Sequence, residues 1–468
     1  MTVILTPPPQ FAASSAEARP LYVLRPEDLA GWHSDRDTAT QAWLDALGFE
    51  ARYGTHCLLP GPQGLAGAVA GLGTAQARAR LRFGLARVAR ELPAGAWQLH
   101  GDLTPAEGDE AALGWLLSQY RFDRYRPTST RPAQAELVAP EGADRARLLA
   151  MAEGEFLTRD LINTPASDLG PEDLEEAFTA LATRFGARVR VTRGDDLLSA
   201  NFPLVHAVGR ASARAPRIMD LTWGNSGPRV TLVGKGVCFD TGGLNIKSTA
   251  GMHLMKKDMG GAATVMGLAL MIMQLALPVQ LRVIVPAVEN AISGLAQRPR
   301  DIVTSRKGLT VEINDTDAEG RLILADALAW ADEEPADLIV SMATLTGSAR
   351  VAVGPDLAPY YTDEADLAAA LEAGAVAGFD PVWRLPLWPG YESMIEPGIA
   401  DLDNCPPGSF AGSATAALFL RRFVANPRYM HFDIYGHCPT DLPARPKGGA
   451  GQGARALLAA LPAMLGLT

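Results

Sequence analysis

Residues 315–321 read Asp-Thr-Asp-Ala-Glu-Gly-Arg, so Asp315, Asp317 and Glu319 fall within five positions at the mouth of an apolar stretch, VEINDTDAEGRLILADAL. Like charges this close repel, more strongly as water is excluded, and a chain that keeps them implies something positive between them. A second unusual stretch is TLVGKGVCFDTGGLNIK (231–247), where a β-rich run ends at Gly234 and is followed by Lys235, Asp240, a Thr-Gly-Gly turn and Lys247. Its glycines let the backbone leave a sheet sharply, so that Lys235 and Asp240 can converge on one point. A third, KKDMGG (256–261), places Asp258 immediately before a long uncharged run.

Each piece alone has an ordinary structural reading. Asp258 stands where a helix N-cap would. Asp317 and Glu319 suit the first turn of a helix beginning near Gly320, where the dipole favours carboxylates. Lys235 alone reads as a solvated lysine. The combination says more. Four carboxylates (Asp240, Asp258, Asp317, Glu319) and three cations (Lys235, Lys247, Arg321) all fall at expected strand or helix ends. Three cations cannot neutralise four carboxylates, and Asp315 adds to the excess. Two divalent ions would balance the four, and carboxylate oxygens suit hard cations. A metal pair at roughly 3.5–4 Å is the usual arrangement for activating a bridging water and clamping the oxyanion that forms. In an extended segment, residues i and i+2 share a side, so Asp317 and Glu319 reach one ion or neighbouring ions while Thr316 and Ala318 face away.

The elements that must position these groups are those of an α/β protein. The runs ARVRVT, PRIMDLTW, RVTLVG, LRVIVPAV and ADLIVSMATL read as strands, with helical stretches between several of them, such as 259–276 and 320–333. Near-continuous apolar strands alternating with helices indicate a mostly parallel central sheet covered on both faces, with reactive groups beyond the strand ends. The expected organisation is a smaller α/β domain over 1–140, a linker helix over 141–165, and a larger α/β/α domain with a mixed, mostly parallel sheet over 166–468. The Pro- and Ala-rich stretch 126–144 reads as an inter-domain linker or exposed edge.

Bulk composition agrees. The 468 residues are 48% hydrophobic and 20% charged, with a mean hydropathy of +0.05. A net charge of −10 argues against a general nucleic-acid or anionic-membrane surface. Cys57, Cys238, Cys405 and Cys438 form no CxxC pair and read as reduced thiols of a cytoplasmic protein. The N-terminal twenty residues lack the basic region and apolar length of a signal peptide. Met259–Leu281 is uncharged but carries Gln274 and Pro278, and reads as a buried helix followed by a buried strand, not as a membrane span.

With these residues in place, GKGVCFDTGGLNIK, KKDMGGAA, DTDAEGRLILADAL and ATLTG together resemble the successive signatures of the leucyl aminopeptidase family. These are cytosolic two-metal exopeptidases, typically hexameric. The resemblance covers about residues 155–468, from LTRDLINTPA to KGGAGQGARALL, and the first 140 residues match only as a variable α/β domain. It implies that Lys235, Asp240, Asp258, Asp317 and Glu319 hold two divalent ions, Zn²⁺ or Mn²⁺, with Asp240 and Glu319 shared, and that Lys235 is a neutral ligand. It implies that Lys247 and Arg321 are catalytic, Lys247 donating to the oxyanion and Arg321 holding a bicarbonate that shuttles the proton. It further implies attack by a metal-bridged water or hydroxide on the first peptide bond, and a free α-amine bound by one metal. Met255, Thr344, Leu345 and Gly347 would line a pocket for apolar N-terminal residues such as Leu. The partners implied are peptide substrates and further copies of the chain in a homohexamer, with no membrane and no nucleic acid. One departure stands out: the family usually has Asn where this chain has Asp315, and either residue can make the same turn through its side-chain oxygen.

Other signals carry less. His431, Asp433, His437 and Cys438 lie within eight positions, but no second ligand pair follows, and packing is the preferred reading. KGGAGQG (447–453) lacks Walker spacing and reads as a glycine-rich turn into a C-terminal helix. GNSG around Ser226 is not a nucleophile elbow. Phosphoryl-ester hydrolysis shares two-metal chemistry, yet only Arg321 is an obvious phosphate partner. A non-enzymatic scaffold or DNA-binding role is disfavoured by the acidic balance and by the intact ligand set.

Overall fold

The computed structural model describes residues 6–13, 17–126 and 133–467. Residues 1–5, part of the N-terminal stretch read for a leader, and 127–132, part of the expected linker, lie outside the described residues. The chain forms two compact units, one comprising 6–156 with 440–447 and the other 157–439 with 448–467.

The first unit is built on a five-stranded sheet of β1 (Arg19–Leu24), β2 (His56–Gly61), β3 (Gly64–Gly71), β4 (Gly95–His100) and β5 (Ala135–Leu137), in the order β2-β3-β1-β4-β5. Only the β2–β3 hairpin is antiparallel. The helix Pro105–Ser118 starts with a capping box between Thr104 and Glu107 and buries Trp115.

The second unit holds a larger mixed sheet. Its strands are β6 (Arg188–Arg193), β7 (Arg217–Trp223), β8 (Arg229–Gly234), β9 (Gly236–Asp240) and β10 (Gln280–Asn290), then, beyond a small side sheet of β11 (Ile302–Thr304), β12 (Thr310–Glu312) and β16 (Leu402–Asp403), β13 (Leu338–Ala343), β14 (Ala358–Tyr361), β15 (Val382–Arg384) and β17 (Tyr429–Asp433). The spatial order is β15-β14-β17-β13-β8-β10-β7-β6, with β9 also paired to β10. The centre, β17-β13-β8-β10, is wholly parallel, while β6–β7, β7–β10 and β14–β17 are antiparallel. The architecture is therefore the α/β one expected, with a mixed, mostly parallel sheet.

The uncharged run read as a buried helix and strand is both. Gly260–Gln274 is a helix with every residue from Gly260 to Met273 buried, and β10 follows. No helix among the described residues is long and apolar enough to cross a membrane. The Glu319–Asp332 helix packs on the sheet's other residues through Leu322, Ile323 and Leu324, all fully buried beside Ile284 and Val233. Burying each such side chain stabilises the fold by roughly 1.5–3 kcal/mol. Because the four central strands run in one direction, their C-terminal ends share one edge. Lys235 follows β8, Asn290 ends β10, Thr344 follows β13, and Asp433 ends β17.

Candidate metal centre

The residues singled out from the sequence meet at that edge. Asp240, Asp317 and Glu319 each offer a carboxylate oxygen within 4.8 Å of the others. The Lys235 ammonium lies 2.7 Å from Asp258 Oδ2 and 2.9 Å from Glu319 Oε1, and donates to the Thr344 carbonyl at 2.9 Å. Lys247 lies 2.7 Å from Asp240 Oδ2 and pairs with Asp317. These groups line a cavity of about 410 Å³, whose wall also includes Arg321, Met255, Thr344, Leu345 and Gly347.

Local sequence explains the convergence. After β9, Gly242 takes φ +87°, a conformation that L side chains rarely adopt, and a Cβ there would lie 2.9 Å from Asp317 Oδ1. The chain can then double back so that Lys247 donates its amide to Thr241 O. Gly320 serves close approach: a Cβ on it would meet Lys235 Cε at 2.5 Å. Asn290 fixes Asp240, donating to Oδ1 at 2.9 Å and to Thr316 O at 3.0 Å. Thr344 Oγ1 does the same for Asp258, at 2.9 Å from Oδ1.

One ordinary reading falls away and one local expectation changes. Asp258 is not a helix cap: the N-cap residue of the buried helix is Met259, with no side-chain cap bond, and the Asp258 carboxylate turns to Lys235 and Thr344 instead. The segment before Glu319 is not extended either. Thr316–Asp317 is a turn, closed by a hydrogen bond from Asp317 N to Asp315 Oδ1 at 2.9 Å, and the helix begins at Glu319. The turn still directs Asp317 and Glu319 to one place, because Thr316 is pinned away from it, its hydroxyl donating to Gly242 O at 2.6 Å. Asp315 thus makes the side-chain turn bond that Asn would also make.

Two ammonium groups, Lys235 and Lys247, pair directly with the four carboxylates. The Arg321 guanidinium, buried, donates to Asn404 O at 2.7 Å and not to a carboxylate, and Lys257 and Arg350 border the same cavity. Carboxylates buried this close together are costly, and their acidities register it. Burial, and then the neighbouring Asp240, push Glu319 well above the usual carboxylate range and Asp317 up to about 6. Asp258 goes the other way: burial would raise it, but Lys235 and Lys257 hold it below its ordinary value. Lys235 and Lys247 are both raised, because their carboxylate partners outweigh burial, which opposes them. Burial brings Lys257, next to Asp258, down to about 8. Glu319 Oε2 is buried with no hydrogen-bond partner, and so is Arg321 Nε. An orphaned carboxylate oxygen among clustered acids is the donor set that hard divalent cations select, so these residues fit a metal.

The His431 group resolves as packing. His431 is buried on β17, its Nδ1 2.8 Å from Ser341 Oγ and its ring stacked on Tyr361. Asp433 accepts the Leu345 and Thr346 amides at 3.1 and 2.9 Å, shaping the loop that borders the cavity. Gly453, at φ +82°, leads into the Ala454–Leu465 helix, as read from the glycine-rich stretch. Sequence reasoning missed Asn290, Asn404, Lys257 and Arg350. Asn290 carried one available signal, its position at the end of a strongly apolar strand.

Comparison with known proteins points the same way. The profile of the cytosol aminopeptidase family catalytic domain matches residues 156–458, and that of the M17 aminopeptidase N-terminal domain matches 19–140. A probable cytosol aminopeptidase of Xanthomonas campestris is 37% identical over 431 residues, covering 86% of each chain. Another, of Syntrophotalea carbinolica, is 40% identical over 367 residues, 74% of this chain and 73% of its own. Among solved structures, cytosol aminopeptidase from Coxiella burnetii superimposes with a TM-score of 0.90 at 43% identity, over 96% of this chain and 98% of that one. The bottromycin maturation enzyme BotP, solved in complex with Mn, gives 0.85 at 33% identity, over 95% of this chain and 99% of that one.

Proposed function

This chain belongs to the cytosol aminopeptidase family and is a metal-dependent peptidase, and from that premise we propose how its own residues do the work. Lys235, Asp240, Asp258, Asp317 and Glu319 would hold two divalent ions, Zn²⁺ or Mn²⁺. When bound, such ions supply Lewis acidity, raising the acidity of water and polarising a carbonyl. The observation that carries this reading is the meeting of Asp240, Asp317 and Glu319 within 4.8 Å, with one carboxylate oxygen of Glu319 left unpartnered.

The remaining residues orient substrate and move protons. Lys247 is the ammonium closest to the acidic cluster that is still partly open to the cavity, 14% exposed against 3% for Lys235. It donates to the oxyanion that develops at the first peptide carbonyl, an interaction that grows as charge builds up. Arg321 holds an anionic proton carrier, a bicarbonate, on its unpartnered Nε edge, since no histidine lines the cavity among the described residues. In the absence of metal, the Lys235 and Lys247 ammonium groups keep the acids fixed, and Lys235 would lose its proton on binding an ion. Met255, Thr344, Leu345 and Gly347 form the wall against which the apolar part of the N-terminal side chain packs, that of Leu included. Assembly as a homohexamer in the cytoplasm follows the family. It is supported by large apolar side chains left on the surface, among them Phe410 (85% exposed) and Ile399 (70% exposed).

Hydrolysis of Leu-p-nitroanilide, measured with and without Mn²⁺ or Zn²⁺ and with Lys247→Ala as control, tests the reading. Metal-dependent release of nitroaniline that Lys247→Ala suppresses is the expected result. Absence of metal-dependent turnover on every aminoacyl amide would overturn it.

A further inference from the structure

We propose that the side-chain pocket of this site ends in a carboxylate receptor made by Lys257 and Arg350, so that peptides beginning with Glu or Asp are cleaved in preference to those beginning with Leu. This rests on the aminopeptidase reading above and names the substrate class within it.

Placement is the first argument. Lys257 shares the three-residue 3₁₀ turn Met255–Lys257 with Met255, and Arg350 follows Gly347 by three positions in the Gly347–Val353 helix, so it lies on the same helical face. Met255 and Gly347 are two of the residues expected to line the N-terminal side-chain pocket, and all four border the same cavity. Both cations also rest on one ring: Lys257 Nζ lies 5.3 Å and Arg350 Cζ 4.7 Å from the centroid of Tyr435.

Charge is the second argument. Lys235 and Lys247 are taken up by the metal-site carboxylates, and Arg321 donates to a backbone carbonyl. Lys257 and Arg350 make no ion pair and no side-chain hydrogen bond with any described residue. The neighbouring acids are committed elsewhere, Asp258 to Lys235 and Thr344, and Asp433 to the Leu345 and Thr346 amides. Lys257 is only 8% exposed, and a buried ammonium that makes no direct ion pair is costly. The Tyr435 face offsets part of that cost. Two like charges on one ring nevertheless repel. A substrate carboxylate entering this end of the cavity would supply the negative charge that both cations lack as a direct partner, and a guanidinium is suited to hold it through paired hydrogen bonds. Met255 and Leu345 remain as the apolar wall for the methylene stem of Glu.

The test compares kcat/KM for Glu-, Asp- and Leu-p-nitroanilide, at fixed Mn²⁺, in the wild type, Lys257→Met and Arg350→Gln. These amides carry no terminal carboxylate, so they isolate the side chain. The wild type is expected to favour Glu over Leu by about tenfold or more, the ratio falling by about tenfold or more in each variant, mostly through KM. Arg350 is exposed, so its variant keeps the test open should Lys257→Met fail to fold. A Glu-to-Leu ratio that neither variant moves would overturn the proposal and leave the aminopeptidase reading standing. No turnover of any of the three amides would overturn both. Leu-Gly against Leu-Gly amide supplies the remaining arm. If Lys257→Met weakens cleavage of the free dipeptide alone, the receptor reads the peptide's terminal carboxylate and the side-chain assignment is wrong.

Discussion

Both units of the chain carry a mostly parallel sheet and a sizeable cavity, yet only one cavity has the means for chemistry. In the first unit a space of about 500 Å³ is bordered by β4 and the start of the Pro105–Ser118 helix, with His100, Asp109 and Glu141 as its titratable side chains. In the second, about 410 Å³ is walled by the carboxylates and cations of the metal centre. Volume does not separate the two, and sheet type does not either. The difference lies in what the strand ends deliver. Four adjacent parallel strands end at one edge of the second unit and each contributes a residue to the site or its border: Lys235, Asn290, Thr344 and Asp433. In the first unit β1, β3 and β4 are also parallel neighbours, but they run out into Leu24, Gly71 and His100, with no cluster of acids. A parallel sheet creates an edge where groups can meet, and the residues placed there decide whether it becomes a site.

The largest effect that would sharpen this contrast is expected from Glu319→Gln. It keeps the shape of the fully buried side chain but removes the charge that faces Asp240 and Asp317, and metal-dependent turnover should disappear while the far-ultraviolet circular dichroism stays unchanged. Lys247→Ala comes next. Loss of one oxyanion donor typically costs about 10²–10³ in kcat, with KM moving much less, and steady-state kinetics on Leu-p-nitroanilide would read it. Asn290→Ala removes the amide that holds Asp240, and a weakening of metal affinity by about 10–100-fold is expected in a Mn²⁺ titration. Asp109→Asn, in the other cavity, is the matched control: turnover should stay within about twofold, and a larger loss would break the comparison by giving the first unit a part in catalysis. The smallest change belongs to Asp315→Asn, which preserves the acceptor for Asp317 N. Its metal dependence should track the wild type, whereas Asp315→Ala, which removes that acceptor, should weaken it.

These contrasts also show what was legible in the sequence. Lys235, Asp240, Asp317 and Glu319 could be found because each lies within a few residues of a strand end or helix start, where periodicity and glycines mark the chain's exit from regular structure. Their common location followed from counting charge, which does not depend on knowing the topology. The turn at Thr316–Asp317 was misread as extended because its closing bond is made by a side chain, Asp315, and period-two reasoning sees only backbone. The cap reading of Asp258 failed for a tertiary reason: Lys235 and Thr344, 23 and 86 positions away, offer it better partners than the helix amides do. Asn404, which supports both Asp315 and Arg321 from a distant loop, carries no local pattern. Lys257 and Arg350 were invisible for the same reason, since only the fold sets both on Tyr435.

The central claim is that clustered carboxylates at one sheet edge exist to bind divalent ions that the reaction needs. Equilibrium dialysis of chelator-treated protein against Mn²⁺, with bound metal counted per chain and Leu-p-nitroanilide hydrolysis followed on the same samples, tests it most directly. The account predicts two ions per chain, activity rising as they bind, and loss of both in Glu319→Gln. Full activity in chelated protein, or metal uptake unaffected by Glu319→Gln, would contradict it.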